Sequence, residues 1–231
     1  MKPRLNRLQM AHAVAQDIPE GSYVNLGIGI PSLIADCVPQ SVEIVFQTEN
    51  GVLGVGPKPP AEAADWEQIN ASKEPVTVRA GGSFFSHVDA FGMIRGGHID
   101  VAVLGAFQVS GDGDIANWTL GEDDVPAVGG AMDLAVGARN VYAVLTHVTR
   151  EGAPKIVQSC AYPLTARAAV TRVYTDLCVL AVTGQGYLRV EKMLKGWTFE
   201  ELQAVTGAAI RPADNMAWLD AQGFGNGQEV G

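Results

Sequence analysis

Four short runs in this chain are apolar almost without interruption and rich in β-branched residues: YVNLGI at 23–28, IDVAVLG at 99–105, NVYAVLT at 140–146 and LCVLAVT at 177–183. A strand with one wet face alternates apolar and polar residues, whereas a strand covered on both faces has no need to. Runs of this kind call for helices on either side, which is the arrangement of an α/β protein with a mostly parallel sheet. Residues 42–48 read as a further strand. FQVS at 107–110 follows the 99–105 run too closely for a crossover helix, so an antiparallel hairpin is expected there.

Helices are expected between these strands. Leu8, Ala11, Val14, Ala15 and Ile18 recur near helical spacing over 6–17, and PSLIADCV at 31–38 carries Pro31 in its first turn. Residues 87–95 and 199–206 are the other helical segments. GPKPPAEAADWE at 56–67 and GEDDVPAVGG at 121–130 read as loops. From Arg211 the chain runs into GFGNGQEVG, a composition that suits a mobile tail or an arm lying on a partner. The expected organisation is one domain over 1–210 and a tail over 211–231, with no internal repeat.

At 231 residues and 47% hydrophobic the chain can bury a sizeable core, and it is too apolar for intrinsic disorder. No run approaches the ~18 apolar residues of a membrane span. A net charge of −9 and an isoelectric point near 4.8 argue against non-specific binding to nucleic acid or anionic membranes. Polar residues interrupt the basic N-terminal segment throughout, so it reads as a helix rather than a signal peptide, and a cytoplasmic location is expected. Cys37, Cys160 and Cys178 are odd in number and widely spaced, which indicates neither a disulfide framework nor a zinc site.

Three segments could carry chemistry. Gly27-Ile28-Gly29-Ile30-Pro31 joins a strand to a helix, where close backbone approach and unpaired N–H groups suit a carboxylate, phosphate or oxyanion. Ser32 stands where a dinucleotide fold wants a third glycine, so that fingerprint fails. A tight turn with glycines for packing alone is the equal alternative. Thr48-Glu49-Asn50-Gly51 delivers a glutamate to the carboxyl end of a strand, the end at which open α/β sheets bind ligands. Glu49 there could be a base, a nucleophile or a metal ligand, or simply a solvated turn residue. Metal ligation is the weakest of these, because His12, His87, His98 and His147 are scattered and no metal site is expected. The third segment is the glycine-rich middle, with Gly81-Gly82, Gly96-Gly97 and Gly129-Gly130; turn punctuation explains the first pair best. Asn117-Trp118 and Thr146-His147 could line a pocket or cap the sheet.

Taken in order, NLGIGIP at 25–31, TENGVLG at 48–54, SFF at 83–85, FGMIRGGHIDVAVLGAFQVSGDGDIANW at 91–118, GGAMDL at 129–134 and RVYTDL at 172–177 resemble the B subunits of the acetate/3-oxoacid class of CoA-transferases. The resemblance runs from about Leu8 to Ile210, with Thr48 where such subunits have Ser. It implies a three-layer α/β/α open sheet, mostly parallel with some antiparallel strands. It also implies that Glu49 is a covalent carrier of CoA, that Gly130 and Ala131 offer oxyanion donors, and that Asn50 shapes the turn. Gly27 and Gly29 are the other local donors. No cofactor is implied, since the CoA thioester is itself a substrate. The implied partner is an A subunit in an αβ or α2β2 assembly. GAFQVS, DIANW, VPAVGGAMDLAVGAR and RVYTDLCVL resemble the branch that transfers CoA from succinyl-CoA to 3-oxoadipate, with the acetoacetate branch close behind. An acyl-CoA hydrolase and a ligand-sensing domain are the rival readings; the second would usually be joined to a DNA-binding segment, and it needs no glutamate nucleophile.

Overall fold

The four apolar runs form interior strands of a ten-stranded mixed sheet. The computed structural model describes residues 2–39, 41–121 and 127–224. In chain order the elements are α1 (Arg7–Ala15), β1 (Tyr23–Leu26), α2 (Ile34–Cys37), β2 (Val45–Thr48), β3 (Val52–Val55), β4 (Val78–Phe84), α3 (His87–Arg95), β5 (Val101–Gly105), β6 (Gln108–Ser110) and β7 (Ile115–Ala116). They continue with α4 (Ala131–Gly137), β8 (Asn140–Val144), β9 (Ile156–Val157), β10 (Arg172–Tyr174), β11 (Cys178–Val182), β12 (Leu188–Leu194), α5 (Phe199–Ala204) and β13 (Ile210–Leu219). The large sheet has the order β13-β12-β11-β10-β8-β5-β1-β2-β3-β4. Its middle, from β10 to β2, is parallel throughout, and antiparallel strands extend it on both sides.

Val101, Ala102, Val103 and Leu104 are all buried, as are Val141–Val144 of β8, so these strands carry apolar side chains on both faces. Helix α1 packs on α2, and α3 packs on α4, completing the three-layer α/β/α arrangement. Helix α1 starts at a capping box: the Asn6 side chain accepts from the Gln9 N–H at 2.9 Å, and the Gln9 side chain accepts from the Asn6 N–H at 2.8 Å. Asn25 on β1 and Gln47 on β2 are paired in register and fully buried. The Asn25 amide donates to Gln47 Oε1 at 2.7 Å, so the two polar groups satisfy each other inside the core.

The structure departs from the sequence reading in three places. The hairpin expected between the 99–105 run and FQVS does not form. β6 pairs instead with β7 and β9 in a separate three-stranded sheet, because the chain leaves the main sheet after Gly105. Gly81 and Gly82 lie inside β4 rather than in a turn; a Cβ at Gly82 would stand 2.7 Å from the Leu53 carbonyl oxygen on the bulged neighbouring strand. The boundary expected at 210/211 falls within β13, which pairs in parallel with β12 across the α5 crossover, so residues 211–219 belong to the sheet. Residues 225–231 of the expected tail and 122–126 of the expected 121–130 loop lie outside the described residues.

Candidate active site

Strand β2 ends at Thr48 and the chain reverses through Glu49, Asn50 and Gly51 into β3. The Gly51 N–H donates to the Thr48 carbonyl at 3.1 Å, closing the turn, and the Val52 N–H donates to Thr48 Oγ1 at 3.1 Å. A hydroxyl at position 48 therefore ties the base of the loop, a task that Thr and Ser perform alike. Gly51 has φ +107°, and a Cβ there would run into the Phe85 carbonyl, so the position excludes other residues twice over. The Asn50 amide donates to the Ile69 carbonyl at 2.8 Å, fastening the turn to the excursion between β3 and β4.

The turn is held from a second side by α3. His87 Nδ1 lies 2.9 Å from the Glu49 backbone carbonyl; a carbonyl can only accept, so His87 donates. Its ring packs on Phe91, with centroids 4.6 Å apart. This leaves the Glu49 side chain to point at the start of α4. Gly130 is the residue before that helix, and a Cβ on it would overlap Glu49 Oε2 and stand 3.1 Å from Glu49 Cδ. The first N–H groups of a helix have no partner within it and carry the positive end of its dipole. The Glu49 carboxyl is thus set against the start of α4, where Ala131 is the first helical residue.

Two motifs cooperate to place α4. Arg95 Nε at the end of α3 donates to Asp133 Oδ1 on α4 at 2.7 Å, and Gly137 lets α4 approach the Ile94 carbonyl, which a Cβ there would strike. Burial raises the pKa of the Glu49 carboxyl above the ordinary glutamate value; His87 opposes that shift and Asp133 adds to it.

Glu49, Gly27, Gly130 and Ala131 line one cleft of about 820 Å³, joined there by Asn117 and Lys155. Gly27 does not serve as a free donor: its N–H is committed to the Val103 carbonyl at 2.8 Å, and it gives close packing between β1 and β5. Gly29 has φ +97° and its N–H makes no backbone hydrogen bond among the described residues, but it does not line the cleft. The Asn50 side chain is engaged with Ile69 rather than with the cleft. Thr146 lines the cleft as the sequence allowed, whereas His147 is fully buried behind it, with Nδ1 3.0 Å from Thr175 Oγ1 and Nε2 2.9 Å from Thr206 Oγ1. Sequence reasoning missed His87 and Lys155. Neither belongs to a motif with a readable spacing, and both act through the folding of distant segments onto the Glu49 turn or its cleft.

This fold is shared with a class of solved proteins. An acyl-CoA transferase from Escherichia coli O157:H7 superposes with a TM-score of 0.74 over 98% of this chain, at 15% identity, and this chain spans 46% of that longer one. The chain belongs to the coenzyme A transferase family, whose pattern it matches over residues 7–203. It is 53% identical over 208 residues to the B subunit of the 3-oxoadipate CoA-transferase of Acinetobacter baylyi, covering 90% of this chain and 95% of that one. It is 42% identical to the B subunit of a probable succinyl-CoA:3-ketoacid coenzyme A transferase of Bacillus subtilis, covering 87% and 93%.

Proposed function

We propose that this chain is the B subunit of a CoA-transferase that moves CoA from succinyl-CoA to a 3-oxo acid, with 3-oxoadipate as the acceptor. The observation that carries the reading is the Glu49 carboxylate, half-buried in a cleft and pressed against the glycine that opens α4. An oxygen of Glu49 attacks the thioester carbonyl carbon, the C–S bond breaks, and CoA leaves as thiolate. The succinyl–glutamyl anhydride is then attacked by that thiolate at Glu49 Cδ, the C–O bond breaks, and succinate departs. This leaves a glutamyl-CoA thioester. The acceptor acid repeats both steps in reverse and leaves as its CoA ester, so one thioester is exchanged for another without ATP, metal or redox cofactor. Each tetrahedral intermediate carries an oxyanion, and the N–H groups of Gly130 and Ala131, at the helix start against which Glu49 packs, are the donors this reading assigns to it.

The site is open on this chain alone. Ile28, Val88 and Val136 are 70%, 78% and 74% exposed, and Phe84 and Met132 are exposed beside them on the elements that frame Glu49. Apolar side chains so placed support a partner surface, and an A subunit covering them would keep water from the thioester. No described helix is long and apolar enough to cross a membrane. The substrates, as soluble CoA thioesters, suit a cytoplasmic site of action.

The test is to co-express this chain with its A subunit and assay succinyl-CoA against 3-oxoadipate and acetoacetate. Higher kcat/KM for 3-oxoadipate supports the reading. A preference for acetoacetate transfers the chain to the second branch. Thioester hydrolysis without any transfer to an acid would refute CoA transfer altogether.

A further inference from the structure

Resting on the reading above, we propose that Lys155 is a specificity-determining residue that takes the distal carboxylate of dicarboxylic acyl groups in the Glu49 cleft. Much of the cleft wall is aliphatic, with Ile28, Ile30, Leu104 and Leu134 among its residues. Succinyl and 3-oxoadipyl groups each bring a second, ionised carboxylate into that space, and a carboxylate entering apolar surroundings needs a cationic or multiply donating partner. Among the described residues that line the cleft, only Arg7 and Lys155 carry positive charge. Arg7 is exposed on α1, while Lys155 is half-buried and set beside β9.

Lys155 is held on a rigid frame and left with donors to spare. Its backbone N–H donates to the His147 carbonyl at 3.0 Å, and its own carbonyl accepts from Val109 at 3.0 Å. Nζ donates to Thr146 Oγ1 at 3.0 Å, and Thr146 Oγ1 donates in turn to the Val148 carbonyl. An ammonium has three donors, so two remain for a ligand. Lys155 forms no ion pair among the described residues. Asp176, the carboxylate that acts on it most, is already committed to Arg4 Nη1 and to the His147 N–H, both at 2.6 Å. Burial lowers the pKa of the Lys155 ammonium, as expected of a cation kept without its own counter-ion.

The experiment uses the complex of this chain with its A subunit, as wild type, Lys155→Met and Lys155→Arg. Binding of succinate and of butyrate is measured by calorimetry, which needs no turnover. Transfer is measured from butyryl-CoA to 3-oxoadipate and to 3-oxohexanoate, which differ only in the distal carboxylate. The expected result is that Lys155→Met weakens succinate binding and raises KM for 3-oxoadipate by about 10- to 100-fold, the worth of one charge-assisted hydrogen-bonded contact. Butyrate and 3-oxohexanoate should be unaffected, and Lys155→Arg should restore most of the loss. Equal losses with dicarboxylic and monocarboxylic acids would overturn the proposal, as would no loss. A defect seen with every CoA thioester but absent with succinyl-pantetheine would place Lys155 on the CoA phosphates instead, and would also overturn it. If the wild-type complex transferred CoA from neither butyryl-CoA nor succinyl-CoA to either acid, the functional reading would fall while the succinate–butyrate comparison still decided the role of Lys155.

Discussion

Glu49 and Gly130 are separated by 81 residues of sequence and touch in the folded chain: the Glu49 carboxyl occupies the space that any side chain at position 130 would need. That contact joins the turn between β2 and β3 to the first turn of α4, and it places the nucleophile of the proposed reaction beside the N–H groups that open a helix.

Gly130→Ala tests the contact. A methyl group there overlaps Glu49 Oε2, so the carboxylate must swing away from the helix start. Misplacing a reacting group by about 1 Å costs on the order of 100-fold in rate. Transfer by the complex should fall by that order in kcat, with the unfolding midpoint little changed, because the residue lies at the edge of an open cleft rather than in the core. Steady-state kinetics alongside thermal unfolding separate the two effects.

Gly51→Ala should act on the fold and the site together. The left-handed conformation at φ +107° and the clash with the Phe85 carbonyl both oppose a Cβ. A loss of about 1–3 kcal/mol is expected from strain of this kind. Denaturant unfolding measures it, and unaltered stability would show that the turn relaxes easily.

His87→Phe keeps an aromatic ring at the start of α3 and removes the donor to the Glu49 carbonyl. Losing one such hydrogen bond should lower kcat about 5- to 10-fold. The pH profile carries the more specific expectation. Transfer requires ionised Glu49, whose pKa burial raises and His87 opposes, so removing His87 raises it further. The acid limb of kcat/KM should move to higher pH in the variant. A limb that stays in place would show that His87 does not act on the Glu49 carboxyl.

His147 governs a different pH range, through stability. Burial pulls its pKa down from 6.5 to about 4. Between these values the unfolded chain binds the proton and the folded chain does not, so stability is complete above about pH 6.5 and is lost as pH falls toward 4. The loss is on the order of 3 kcal/mol at most, given about 1.4 kcal/mol per unit. Chemical denaturation across pH 7 to 5 should show this slope in the wild type and a shallower one in His147→Gln, whatever the absolute stability of the variant.

What could be read from sequence follows from where the residues lie. β1, β5, β8 and β11 announced themselves because both of their faces are covered, which forces continuous apolar runs. β13 did not, because it is the sheet edge and exposes Arg211, Pro212 and Asn215, so its composition resembles that of a tail. The Glu49-Asn50-Gly51 turn was legible because its chemistry is local. The meeting of Glu49 with Gly130 depends on α3 and α4 packing through Gly137 and the Arg95–Asp133 pair, a tertiary event that no local pattern encodes. The same holds for Gly27, whose N–H looks free in sequence and is taken by a neighbouring strand.

The most direct measurement is to trap the covalent intermediate. The complex of this chain with its A subunit is incubated with succinyl-CoA in the absence of acceptor acid, treated with borohydride, digested and sequenced by mass spectrometry. Borohydride reduces a glutamyl thioester to the alcohol and leaves a free carboxylate untouched. The account predicts loss of transfer activity that depends on succinyl-CoA, with the reduced side chain at Glu49 and nowhere else. Unmodified Glu49 in an inactivated complex, or a modification at another residue, would contradict it.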